Sequence, residues 1–291
     1  MKGITNYLTS KEEFQSIIDG INAGFKEQLI AGVSDVARAL SISVLYQKQP
    51  KKTLVVTHQL LHAQQLYDDL KDLLTDSDVY LYPVNELIAT EMFISSPELR
   101  SERIRSLIEW LGRDDGILVV PIAALKRIVP PKQYWQSYRL TFEAGEQIEL
   151  EETVENLFDM GYDRVDMVTS PAEFSVRGGI IDIYPVTERN PIRIELFDDE
   201  IDSIRQFDAN SQRSLENVES VTIVPARELL VTKEDMSRAA KQLEDYLQKS
   251  LQKMKASPHK DALEEAVKHD IEQLQSFEKF QEMYKYSNLF Y

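Results

Sequence analysis

Along the first 120 residues the apolar positions switch repeatedly between two spacings. Steps of three and four predict helices over Glu12–Ile21, Asp35–Tyr46 and Leu60–Leu74. A further helix follows Pro97, where Leu99, Ile104, Leu107, Ile108 and Leu111 share one face. Between these stretches lie short, continuously apolar runs, Gln28–Ala31, Thr53–Thr57, Val79–Tyr82 and Gly116–Pro121, each predicting a buried strand. Apolar strands separated by helices of about 12 residues predict a parallel sheet covered on both faces, an α/β arrangement.

The texture changes after Pro130-Pro131. Tyr138–Phe142 alternates with period two, and Glu151–Asp159 suits a helix. Short strands follow at Asp163–Val168, Glu173–Arg177, Ile180–Tyr184, Ile192–Phe197 and Ile201–Phe207. Gly178-Gly179 between two of them signals a tight hairpin, because glycine accepts positive φ. Val221–Pro225 adds one more strand, and two long amphipathic helices, Ser237–Lys255 and Asp261–Tyr284, are divided by Ser257-Pro258. The expected organisation is therefore a parallel-sheet domain begun by residues 1–130, an α+β domain inserted at 131–218, and a return strand with long helices at 219–291 that completes the first domain. The last segment ends at Tyr291 without a stop signal, which suggests a piece of a longer chain.

Charge sharpens that division. The 291 residues carry a formal net charge of −16. Between Glu143 and Asp202 stand 17 acidic residues, four arginines and no lysine, a local balance of −13. Such acidity argues against generic nucleic-acid binding, which needs concentrated Lys and Arg. There is no cysteine, so disulfides, thiol nucleophiles and cysteine-ligated metals are excluded, in keeping with a reducing compartment. No apolar run approaches the roughly 20 residues that cross a bilayer, and the first residues lack a secretion signal. A soluble cytoplasmic protein is expected.

The stretch Gly32-Val33-Ser34-Asp35-Val36-Ala37-Arg38-Ala39 occupies the strand-to-helix position of a phosphate-binding loop, G-x-x-x-x-G-K-[ST]. That loop needs a second glycine for close backbone approach, a lysine for the β/γ-phosphates and a hydroxyl for magnesium. Ala37, Arg38 and Ala39 replace all three, and Asp35 adds a negative charge to the would-be cradle. Gly32 is then expected to end a strand, with Ser34 or Asp35 capping the helix. No carboxylate pair for magnesium follows Val119-Val120, and no nucleotide or metal is expected to bind. His58 and His62 have zincin spacing but Gln59 stands where a glutamate is needed. Asp198-Asp199 reads as a turn, and no Ser/His/Asp arrangement stands out among four histidines.

Gly161–Arg177 (GYDRVDMVTSPAEFSVR), Gly178–Pro185 (GGIIDIYP) and Ile192–Arg205 (IRIELFDDEIDSIR) together resemble the UvrA-binding domain of the nucleotide-excision-repair protein UvrB. With a degenerate phosphate loop upstream, and with Tyr82–Leu87 (YPVNEL) and Ser96–Arg100 (SPELR), the chain is still more similar to the UvrB-like region of the bacterial transcription-repair coupling factors. The resemblance implies a degenerate P-loop, helicase-like parallel-sheet domain in two chain segments, catalytically silent, with an inserted domain that recruits UvrA. It implies further that RNA polymerase, double-stranded DNA, ATP and Mg engage other parts of a longer translocase, which this region would contact intramolecularly. Matched residue by residue, Arg164 and Arg177 stand where UvrB-like domains contact UvrA, and Tyr184 is a candidate aromatic contact. From charge alone, the same arginines could instead pair with Asp163, Asp166 or Glu173; Phe174 reads as core. Two departures from UvrB stand out: Pro83–Ala89 lacks its tyrosine-rich lesion-probing hairpin, and Ser175 replaces an arginine. The competing expectation is a divergent motor that still binds nucleotide through Gly32–Ala39.

Overall fold

The structure, a computed structural model, describes residues 7–74, 78–84, 97–126, 129–277 and 280–291. Asn85–Ala89, which includes most of the segment matched to the UvrB hairpin, lies outside the described residues. The chain falls into two compact units, Met1–Thr90 with Arg105–Lys126, and Glu91–Ile104 with Arg127–Tyr291.

In the first unit, helices α1 (Glu12–Asn22), α2 (Asp35–Lys48) and α3 (Leu60–Leu73) accompany strands β1 (Lys52–Thr57), β2 (Val79–Leu81) and β3 (Gly116–Pro121); helix α4 (Pro97–Gly112) spans residues of both units. The strands form a parallel sheet in the order β1-β3-β2, with Lys52 opposite Gly116 and Val79 opposite Ile117. Ile117 and Val119 of β3 project into a core with Ala39 of α2, Ala63, Leu66 and Leu70 of α3, and Val79 and Leu81. Leu118 and Val120, on the opposite face, are buried as well, as the run of apolar residues requires. β1 departs from that expectation. It lies at the sheet edge and alternates, with Val55 packed inward while Leu54 and Val56 are exposed. Gln28–Ala31 differs more. It forms no strand, Leu29 is 93% exposed, and Gln28 turns back to donate from Nε2 to the Ile17 carbonyl at 3.1 Å.

In the second unit a six-stranded sheet runs β10-β9-β8-β7-β6-β5, built from β5 (Asp163–Arg164), β6 (Glu173–Arg177), β7 (Ile180–Ile183), β8 (Ile192–Phe197), β9 (Glu200–Phe207) and β10 (Ser214–Asn217). All neighbours are antiparallel except β5, which pairs parallel to β6. One face carries Phe174, Ile181, Ile183, Ile192, Ile194 and Ile204, all at most 1% exposed. Phe158 of α6 (Leu150–Met160) meets Phe174 edge to face at 5.2 Å.

β11 (Ser220–Ile223) pairs antiparallel with β4 (Leu140–Glu143), placing Val221 opposite Phe142. It does not return to the parallel sheet as the sequence predicts. Residues 219–291 group with the antiparallel sheet's unit. Helix α5 (Lys132–Ser137) precedes β4, and α7 (Lys233–Lys253) opens on a capping box in which Thr232 Oγ1 accepts from Asp235 N and Asp235 Oδ2 accepts from Thr232 N. Leu243, Leu247 and Leu251 of α7 pack with Ile271 and Leu274 of α8 (Pro258–Gln275) and with Leu289 and Phe290 of α9 (Ser287–Phe290). Ser257 caps α8 and Pro258 sits at its first turn, as the break predicts. α8 stops at Gln275 rather than near Tyr284, where Phe277 takes φ +60° and a short 3-10 segment, Gln281–Tyr286, follows.

A buried ion pair lies within this unit. Arg103 donates from Nε to Glu228 Oε1 at 2.7 Å and from Nη2 to Oε2 at 2.9 Å, both side chains 2% exposed. Among the described residues no helix is long and apolar enough to cross a membrane.

Candidate functional site

Gly161 ends α6 with φ +91°, a value that favours glycine. A Cβ there would also fall 2.0 Å from Arg227 Cγ, so the turn is closed to larger residues on two grounds. Tyr162 follows, fully buried, its phenol donating to the Val224 carbonyl at 2.8 Å; burial pushes its pKa up. The chain then enters β5, where Asp163 N donates to Ala172 O and Val165 N to Phe174 O. This sets Arg164 on the edge strand, Cα partner of Phe174.

The loop from β5 to β6 is closely tied. Glu173 Oε2 accepts from Thr169 N and Ser170 N, each at 2.8 Å, and Gln212 Nε2 donates to Val168 O at 3.0 Å. Ala172 takes φ +71° in this loop. The strand predicted over Asp163–Val168 is only two residues long for this reason, since Val168 turns inward and is fully buried. On the other side of β6, Gly178 adopts φ +61° in the two-residue turn to β7, as the hairpin pattern predicts.

Arg164 and Arg177 come together at this end of the sheet. With Val165, Asp166 and Val176 they line a cleft of about 620 Å³. Arg164 is exposed and makes no ion pair among the described residues. Arg177 is paired, though not with Asp163, Asp166 or Glu173. Its Nη2 donates to Asp182 Oδ2 at 2.5 Å, and its side chain remains 49% exposed. Tyr184 does not reach the cleft lining. It is half-buried, with its phenol donating to the Arg189 carbonyl at 2.8 Å and its N–H to Glu173 O. Phe174 is core, as expected. Ser175 is 1% exposed, so the position matched to a UvrB arginine does not open to solvent in this chain.

The sequence reading missed Asp182, Arg193 and Phe207. Asp182 is a single acid inside the apolar run Ile180–Ile183, and a lone charge at the centre of a strand was the available signal.

The Gly32–Ala39 stretch lies elsewhere, in the first unit. Gly32 has φ +74° and is exposed. Ser34 is the N-cap of α2 but makes no side-chain capping bond. Arg38 is exposed and Ala39 is buried in the core beneath β3, while Ala37 is half-buried. The His58 and His62 rings are tilted by 38° to one another with centroids 4.2 Å apart. Among the described residues no group of three His, Cys, Asp or Glu side chains is placed to hold a metal ion.

Known proteins are similar to this chain, its 140–229 region included. Residues 140–229 match the UvrB interaction domain. Over its whole length the chain is 43% identical to the transcription-repair-coupling factor of Bacillus subtilis (strain 168), covering 25% of that protein. It is 36% identical to the same-named protein of Staphylococcus haemolyticus (strain JCSC1435), over 90% of this chain and 22% of the relative, and 36% identical to that of Staphylococcus aureus (strain USA300) over the same shares. The chain thus spans about a quarter of the length of the curated relatives it matches. Residues 140–229, which hold the two arginines and their cleft, match the UvrB interaction domain, within a chain similar from end to end to about a quarter of a transcription-repair-coupling factor.

Proposed function

We propose that this chain is the UvrB-like, non-catalytic region of a transcription-repair coupling factor, and that its Arg164–Arg177 cleft captures UvrA at stalled RNA polymerase. The observation that carries this reading is the meeting of both family-matched arginines in one cleft within a domain otherwise crowded with carboxylates. Arginine supplies a planar fork of five donors, suited to acidic side chains, and is favoured at interface centres. The aliphatic surfaces of Val165 and Val176 add the dry contact that such a centre needs. The surrounding acidic residues would repel nucleic acid and steer a basic surface toward the cleft rim.

On this reading the relatives' greater length accommodates the parts that engage polymerase and double-stranded DNA and that use ATP and Mg. The Gly32, Ala37, Arg38 and Ala39 stretch would then be a degenerate P-loop kept as scaffold, and the region would act in the cytoplasm and contact the motor in the intact protein. The test is capture of UvrA by the Arg164→Ala/Arg177→Ala double variant. Capture should be lost while the variant still unfolds in one cooperative thermal transition; undiminished capture would defeat the reading. Titration with Mg·ATP separates the alternative of a divergent nucleotide-binding motor, which predicts micromolar binding where this reading expects none.

A further inference from the structure

Across the six-stranded sheet, Ser175, Asp182, Arg193 and Arg205 form one continuous row, each the Cα partner of the next. Side chains alternate along a strand, so this row lies on the face opposite Phe174, Ile183 and Ile192. It is an unusual row for a domain core. Asp182 is fully buried, and a buried carboxylate needs charge partners and filled lone pairs. It has both. Oδ1 accepts from Arg193 Nε at 2.6 Å, while Oδ2 accepts from Arg193 Nη2 at 2.8 Å and from Arg177 Nη2 at 2.5 Å. Arg193 is braced in turn, its guanidinium 4.6 Å from the centre of the fully buried Phe207 ring. The bond to Asp182 also raises the Arg193 pKa, so this cation persists at any working pH.

Two guanidinium groups on one carboxylate leave a net charge of +1 at this point of a strongly acidic domain. The two arginines are not equivalent. Arg193 spends two donors on Asp182 and its side chain is 16% exposed, whereas Arg177 spends one and is 49% exposed. Arg177 therefore keeps most of its fork for a second acceptor while its position is already set. A free surface arginine must lose its rotamer freedom when a partner docks, and one fixed beforehand does not.

Resting on the docking role proposed above, we infer that Asp182 is a positioning residue for partner capture: clamped by Arg193 against Phe207, it holds Arg177 at the cleft so that the remaining donors receive a carboxylate of the partner. Asp182 does not touch the partner in this scheme. It acts through Arg177, and that dependence can be measured.

The test is a double-mutant cycle on the affinity of this chain for UvrA, with Arg177→Ala, Asp182→Asn and the double variant, each accompanied by a thermal melt. Arg177→Ala and Asp182→Asn should each weaken capture about tenfold or more, and Asp182→Asn should add less than about twofold in the Arg177→Ala background. Capture by Asp182→Asn equal to wild type would overturn the inference. So would a full additional loss in the Arg177→Ala background, which would mark a merely structural role. If Arg177→Ala itself leaves capture intact, the docking reading falls, which is a different failure. A measurement on the wild-type chain guards against a variant that does not fold: nitrogen-15 relaxation of the Arg177 Nε–H should report an ordered side chain. A freely rotating one would overturn the inference without any substitution.

Discussion

The two larger sheets among the described residues meet the same problem, how to present polar chemistry on an apolar frame, and solve it differently. In the parallel sheet β3 is buried on both faces and contributes no charged side chain. The unit's polar groups stand instead on its helices and on the edge strand β1, as with Arg38 of α2, Gln64 and Asp68 of α3 and Lys52 of β1, all exposed. In the antiparallel sheet one face is aliphatic while the other carries Ser175, Asp182, Arg193 and Arg205 in register. A strand's period of two makes this possible, because a charge can be added to one face without disturbing the other. A parallel strand covered on both sides has no such free face. The arginines expected to bind a partner accordingly stand at the end of the antiparallel sheet.

The largest effects should come from core truncations that separate the two sheets. Phe174→Ala removes a fully buried ring from the antiparallel sheet and should cost about 3–5 kcal/mol in urea unfolding, with loss of UvrA capture. Leu70→Ala in the parallel-sheet core should cost about 2–5 kcal/mol yet leave capture intact in conditions where the chain stays folded. Loss of capture by Leu70→Ala would erase the distinction.

The buried ion pair offers a sharper probe of the second unit. Glu228→Gln removes the negative charge that meets two donors of the buried Arg103 guanidinium and should destabilise by about 3–5 kcal/mol, while the Arg103→Met/Glu228→Met double variant should recover most of that loss. Calorimetric melts of the three chains would decide it.

A smaller effect is expected at the start of α7. Burial raises the Asp235 pKa, but the bonds from Thr232 and the Arg238 guanidinium outweigh it, leaving the carboxyl below its ordinary value. Its contribution is therefore complete above the unfolded pKa of about 3.9 and fades as pH falls through the lower folded value. Asp235→Asn should lower stability by about 1 kcal/mol at neutral pH, and the gap from wild type should close in acid. A gap that widens below pH 4 would contradict this assignment. Least of all, Arg38→Ala should change stability by under about 0.5 kcal/mol and leave UvrA capture untouched.

Most of the architecture was legible where the apolar pattern had one period and ran long. The helices at 60–73 and 97–112 and the strand at 116–121 follow directly from spacing, as does the Gly178-Gly179 turn. Gln28–Ala31 was misread because three apolar residues in a row, Leu29, Ile30 and Ala31, satisfy a strand pattern without saying which edge would receive them. β11 was assigned to the wrong sheet for the same reason: its partner β4 lies 80 residues away from it, and spacing carries no pairing information. At the candidate site, Arg164 and Arg177 were singled out through their motif, yet the carboxylate that holds Arg177 was not. Asp182 meets it only through the register of β6 and β7, and Arg193 arrives from a third strand. Tyr184 was named from its residue type, and the bond to Arg189 shows how that phenol is occupied.

The pairing of Arg103 with Glu228 has a bearing on how the chain is made. The partners are 125 positions apart, so a ribosome adding about 5–20 residues each second delivers the carboxylate roughly 6–25 s after the guanidinium. During that interval the N-terminal turns of α4 have no Glu228 to close on, so this buried pair can form only after most of the second unit has been synthesised.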